Sequence, residues 1–161
     1  MRILAMAGGI AGAVALSQFP EFSQQYVQRL SGAVDELRGV TLAFDTTARI
    51  AGMSREEALD AIGDGEFQTR LRDDMRSRIY RYERLNADYQ ALAGAAPLQR
   101  LARFWHIRDV ELVERTWDDF RPALPVTSEG LISAGIGFAG GWGLVTLLIG
   151  ALFGRRRLRR A

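Results

Sequence analysis

Few residue types in this chain could do chemistry, and their spacing decides against most of it. Residues 135–140 read GIGFAG, which matches the GxGxxG dinucleotide fingerprint, and residues 7–12 read AGGIAG, close to its flavin-type variant. Such glycines work only between a strand and a helix, where they let a pyrophosphate approach the helix N-terminus, with an acidic residue about 20 positions on. Here the first motif lies inside an uncharged run and the second has too few residues before it for a buried strand. Neither is read as a nucleotide site, and no cofactor is expected.

His106 is the only histidine and the chain has no cysteine. A catalytic imidazole needs an orienting carboxylate and a nucleophile; Asp109 is near in sequence, which by itself proves nothing. An enzyme would need Glu21, Asp118, Asp119 or His106 to converge. Asp73-Asp74 and Asp118-Asp119 lack the ligand spacing of an EF-hand or a comparable metal site, so no metal is expected either. Arg70, Arg72, Arg76, Arg78, Arg81 and Arg84 make a basic helix broken by Asp73, Asp74 and Glu83. On a domain of net negative charge this reads as a solvated face with local ion pairs. Contact with anionic lipid is the competing reading, and nucleic acid is not expected.

The elements that would position these residues follow from charge. All 19 acidic residues lie between Glu21 and Glu129, where 15 arginines accompany them; Arg2, Arg155, Arg156, Arg157, Arg159 and Arg160 lie outside. From Gly130 to Phe153 there are 24 residues without a charge. As a helix rising roughly 1.5 Å per residue this run crosses a hydrocarbon core of about 30 Å with some tilt. Thr127 or Ser128 suits its N-cap and Glu129 its positive end. Residues 3–19 form a second uncharged run, richer in Ala and Gly. A secretory signal peptide is its competing reading, because Ala13-Val14-Ala15 has the small-x-small pattern of a cleavage site.

Basic residues flanking a membrane helix stay on the cytoplasmic side. Exporting the five-arginine tail would also oppose the membrane potential, at about 2.3 kcal/mol per charge per 100 mV. Both termini are therefore expected in the cytoplasm of a bacterial cell, at its inner membrane, with the middle in the periplasm and the tail arginines as topology anchors.

The middle reads as helix. Phe22, Tyr26, Leu30, Val34, Leu37, Thr41, Phe44 and Ala48 recur at threes and fours, as do Phe67, Leu71, Met75, Ile79, Tyr82, Leu85, Tyr89 and Leu92. Each set is one buried stripe, on helices of about residues 21–50 and 65–93. Between them Ser54 to Glu57 spell a capping box, and Gly52, Gly63 and Gly94 mark ends. Pro97 suits the start of another helix, and a last one is expected over residues 109–120.

The predicted fold is all-α: a transmembrane helix over residues 3–19, a periplasmic helical hairpin or small bundle over 20–126, a second transmembrane helix over 128–153, and a basic tail over 154–161. Gly8 and Gly12, and Ser133, Gly137 and Gly141, fall four apart and make small-residue ridges on which membrane helices approach closely. The partner of each ridge is the other span, a second copy of the chain, or another envelope protein. Phe19, Pro20, Phe22, Trp117, Phe120, Pro122 and Pro125 flank the spans, where aromatics anchor at the headgroup level.

The segments SQFPEFSQQY (17–26, continuing to 37) and TWDDFRPALPVT (116–127, continuing to 130) resemble the DUF2937 family, an uncharacterised proteobacterial membrane-protein family, and the resemblance extends over nearly the whole chain. It implies a small two-span protein with no assigned activity and supplies no catalytic or ligand residue. The function expected from the residues is that of a non-enzymatic envelope protein acting through its periplasmic domain. A subunit or regulator of a transport or lipid-handling complex, contacting anionic lipid, is the alternative.

Overall fold

The computed structural model describes residues 2–122 and 127–154. Arg155, Arg156, Arg157, Arg159, Arg160 and Pro125 lie outside these. The described residues are helical with no strand, and two of the helices are long and apolar enough to cross a membrane.

The elements are α1 (Arg2–Ser17), α2 (Phe19–Ile50), α3 (Arg55–Asp60), α4 (Glu66–Leu92), α5 (Pro97–Leu101), a 3-10 turn η1 (Phe104–His106), α6 (Val110–Asp118) and α7 (Ser128–Gly154). Local chemistry sets the boundaries. Pro20 has no amide hydrogen to offer the carbonyl of Leu16, so the helix is interrupted at Gln18 alone, and Phe22 N–H donates back to Gln18 O at 3.0 Å. Gly52 (φ 72°) closes α2, with Met53 N–H donating to Ala48 O at 2.9 Å, and Gly63 (φ 93°) follows α3; both need the left-handed region that glycine enters without strain. The expected capping box is present: Ser54 Oγ accepts from Glu57 N–H and Glu57 Oε2 accepts from Ser54 N–H at 2.7 Å. Thr127 caps α7, its Oγ1 accepting from Gly130 N–H at 3.1 Å.

Two compact units divide the chain. The first takes residues 2–25, 95–102 and 116–154 of those described, and is built on the pair α1 and α7. The second takes residues 26–94 and 103–115. Its core joins Tyr26, Val27, Leu30, Val34 and Leu37 of α2 to Leu85 and Leu92 of α4 and Leu112 of α6, a small bundle rather than two helices alone. Tyr26, Leu30, Leu85 and Leu92 have essentially no exposed surface, and burying each of the three leucines contributes about 1.5–3 kcal/mol. The stripe expected along α4 holds only over its second half: Ile79, Leu85 and Leu92 are buried, while Phe67 is 73% exposed and Leu71 stands on the surface. Helical spacing finds a face, and how far along the helix a neighbour covers that face depends on tertiary packing.

Candidate functional site

The exposed feature most firmly held in the second unit is the turn between α5 and α6. Arg103 Nη1 donates to Ala91 O at 2.7 Å, satisfying a carbonyl in the last turn of α4. His106 Nδ1 lies 2.8 Å from Asp88 Oδ1, and Arg108 Nε donates to Asp88 Oδ2 at 2.9 Å. Asp88 is buried, and an ionised carboxylate only accepts, so Nδ1 carries the hydrogen in this contact. Ile107 packs against the core between these two clasps. Asp109, also buried, accepts from Arg84 at 2.7 Å and Arg81 at 3.3 Å, and caps α6 by accepting from Leu112 N–H at 3.2 Å. Arg81 also reaches Glu111 at 2.7 Å, a bond that holds the Glu111 carboxyl below the usual carboxylate range. The hydrogen bond that Arg108 donates to Asp88 likewise holds its guanidinium above the ordinary range.

Two buried carboxylates thus fasten the segment 103–109 to α4, and the residues left pointing outward are Phe104 and Trp105. They are 62% and 57% exposed, with ring centroids 5.8 Å apart and planes inclined by 73°. Behind the turn, Tyr26 is fully buried and its hydroxyl makes no hydrogen bond of good geometry. Burial above all pushes the phenol's pKa up; the nearby backbone amide of Asp109 partly offsets this, and the Asp109 and Asp88 carboxylates add to it.

Sequence reasoning singled out His106 but missed its partner. The carboxylate that orients it is Asp88, not Asp109. Asp88 could have been found, because it sits at the core-facing spacing of Leu85, Tyr89 and Leu92, where an unpaired charge is not tolerated. Both oxygens of Asp88 are committed, and among the described residues no group of three or more His, Cys, Asp or Glu side chains is placed to hold a metal.

All six arginines of the basic helix have acidic neighbours: Arg70 with Glu66, Arg72 with Asp64, Arg76 with Asp60, Arg78 with Asp74, Arg81 with Glu111 and Asp109, and Arg84 with Asp109. That face is locally neutralised.

In the first unit the structure brings the two small-residue ridges together. A Cβ on Gly12 would overlap Gly137 O, one on Gly137 would overlap Gly12 O, and one on Gly141 would overlap Gly8 O; one on Gly8 would overlap the Val145 side chain. The two helices therefore run antiparallel in backbone contact, each ridge partnered by the other span of the same chain. Ser133 is on the same face, fully buried, its Oγ without a hydrogen-bond partner. Of the membrane-proximal residues, Phe22, Trp117 and Phe120 form one cluster, with centroids 6.3 Å (Phe22–Trp117), 5.8 Å (Phe22–Phe120) and 6.2 Å (Trp117–Phe120) apart. Phe19 and Pro20 open α2, and Pro122 follows α6.

No curated protein and no solved structure matches the chain. A family model, that of the proteins of unknown function DUF2937, matches residues 1–158, so with its two candidate membrane helices this chain belongs to the DUF2937 family.

Proposed function

We propose that this is a non-enzymatic inner-membrane protein whose helical middle, held in the periplasm between cytoplasmic termini, binds a partner protein of the envelope through the Phe104–Trp105 turn. One observation carries the reading: two large aromatics are exposed side by side on a turn that buried ion pairs hold in place. Exposed tryptophan on a rigid support is the chemistry of an interface anchor, because a pre-ordered side chain loses little entropy on binding. The glycine ridges support a role for the middle rather than the spans, since they are occupied within the chain. The lipid alternative gains nothing from the basic helix, whose arginines already have acidic neighbours.

The test has two parts. Reporters active only in the periplasm or only in the cytoplasm, fused near Gly94 and after Ala161, are expected to place the first site outside and the second inside; the reverse overturns the orientation. A photo-crosslinking amino acid replacing Trp105 is then expected to give a discrete adduct in cells. The same amino acid replacing the exposed Tyr80 is expected to give none, and equal labelling at both positions removes the claim.

A further inference from the structure

At the end of the α1–α7 pair away from the aromatic cluster, the two helices part around an apolar groove of about 290 Å³, lined by Arg2, Ala5, Trp142, Thr146, Ile149 and Gly150. The lining is methyl, methylene and indole surface except at Arg2. Thr146 donates its hydroxyl to Trp142 O at 2.8 Å, so it leaves no polar demand in the groove. Arg2 is exposed, and no hydrogen bond or ion pair ties it to any other described residue. Gly150 leaves open space where a side chain would stand.

We infer that this groove binds one phospholipid with an anionic headgroup, an acyl chain lying along Ala5, Trp142, Ile149 and Gly150 and the headgroup phosphate held by Arg2. The argument is complementarity of both parts. An apolar trough near the low end of the size of ligand clefts, roughly 300–1,000 Å³, fits part of one hydrocarbon chain. An arginine at its mouth offers a planar fork of donors to a phosphate and has no carboxylate among the described residues to satisfy it instead. A second copy of the chain would fill the trough and leave the cation unanswered, and in a zwitterionic lipid the headgroup's own ammonium competes with Arg2 for the phosphate, which favours a lipid of net negative charge. The inference needs both helices in a bilayer, and it is independent of which face of the membrane they end on and of what the Phe104–Trp105 turn binds.

The test uses the full chain in nanodiscs of phosphatidylcholine, with Trp105→Phe and Trp117→Phe so that Trp142 is the sole tryptophan. A minor fraction of phosphatidylglycerol or of phosphatidylcholine, brominated on its chains, is added at equal mole fraction, and quenching of Trp142 is read. Brominated phosphatidylglycerol is expected to quench as though enriched about fivefold, the factor that one arginine near an anionic surface supplies. The enrichment is expected to vanish in Arg2→Gln and in Gly150→Leu, which fills the trough, and to persist in Gly143→Leu, which adds the same bulk at another open position. Unchanged helicity confirms that each variant is folded. Equal quenching by the two lipids overturns the proposal. So does enrichment that survives Arg2→Gln or Gly150→Leu, since it would then belong to the five arginines that follow Gly154 in sequence.

Discussion

Asp88 Oδ1 lies 2.8 Å from His106 Nδ1 across 18 residues of sequence, and the carboxylate making that contact is 1% exposed. Its second oxygen holds Arg108. One buried group therefore fixes the flank of the turn that displays Phe104 and Trp105. Asp88→Asn keeps the shape and one acceptor but loses the charge, and is expected to lower the unfolding free energy by about 1–3 kcal/mol. Hydrogen exchange should show lost protection over residues 103–109, and protection equal to wild type would show that the carboxylate does not hold the turn.

Tyr26 gives the fold an alkaline limit. Its folded pKa is raised above the ordinary value near 10, so the stability it provides is complete below pH 10 and is lost as pH climbs from there through the folded value. Tyr26→Phe removes the titration and a hydroxyl without a hydrogen bond. It is expected to cost little at pH 7 and to flatten the alkaline loss in denaturant melts recorded from pH 8 to 12.

At the acid end the sign is opposite. Arg55 bonds Asp45 through two nitrogens, at 2.8 and 2.6 Å, and that bond holds the Asp45 carboxyl below its ordinary range. The stability it gives is present above the ordinary carboxylate pKa and is lost as pH falls through the folded value. Because both side chains are partly exposed, the effect is small, about 1 kcal/mol or less. Asp45→Asn is expected to make the melting temperature less dependent on pH below 5.

The contact between α1 and α7 offers a direct geometric test. A Cβ placed on Gly8 would stand 3.2 Å from Val145 Cβ, a few tenths of an ångström inside the usual disulfide separation of about 3.5–4.5 Å, and Val145→Cys replaces the γ-methyls that this Cβ would meet with a single sulfur; the native chain has no cysteine to interfere. Gly8→Cys with Val145→Cys should oxidise to an internal crosslink that leaves the chain monomeric on non-reducing gels. A crosslinked dimer would assign the ridges to a second copy. Adding Gly12→Leu should abolish the crosslink, and adding Gly143→Leu should leave it.

Ser133 makes a finer distinction on the same face. Its buried hydroxyl has no hydrogen-bond partner, so Ser133→Ala is expected to leave the α1–α7 pair as stable as wild type or firmer by about 1 kcal/mol, read as the denaturant midpoint in micelles. Marked destabilisation would mean the oxygen has a partner after all.

The helices were legible where one local cause sets a boundary: Gly52 at the end of α2, Ser54 and Glu57 at α3, and Thr127 at α7. The four-residue spacing of Gly8, Gly12, Gly137 and Gly141 also carried through to contact, because a ridge without side chains has one obvious use in an apolar helix. The aromatic turn was not legible. Nothing local marks η1, and its position depends on Asp88, Arg81 and Arg84, which lie 18 to 28 residues from their partners. Phe67 and Leu71 mislead for the same reason, since their spacing is helical but nothing covers them.

The backbone contact between α1 and α7 also sets how this protein can vary. Every single-base change in a glycine codon that yields another amino acid adds at least a Cβ, and at Gly12, Gly137 and Gly141 a Cβ would run into the facing backbone. These three codons have no mild missense neighbours, whereas Gly135, Gly140, Gly143 and Gly150 on α7 have open space. In a saturation library the first three should be nearly invariant among survivors and the other four permissive to apolar residues, so that the inheritance pattern of one helix would trace the seam it shares with the other.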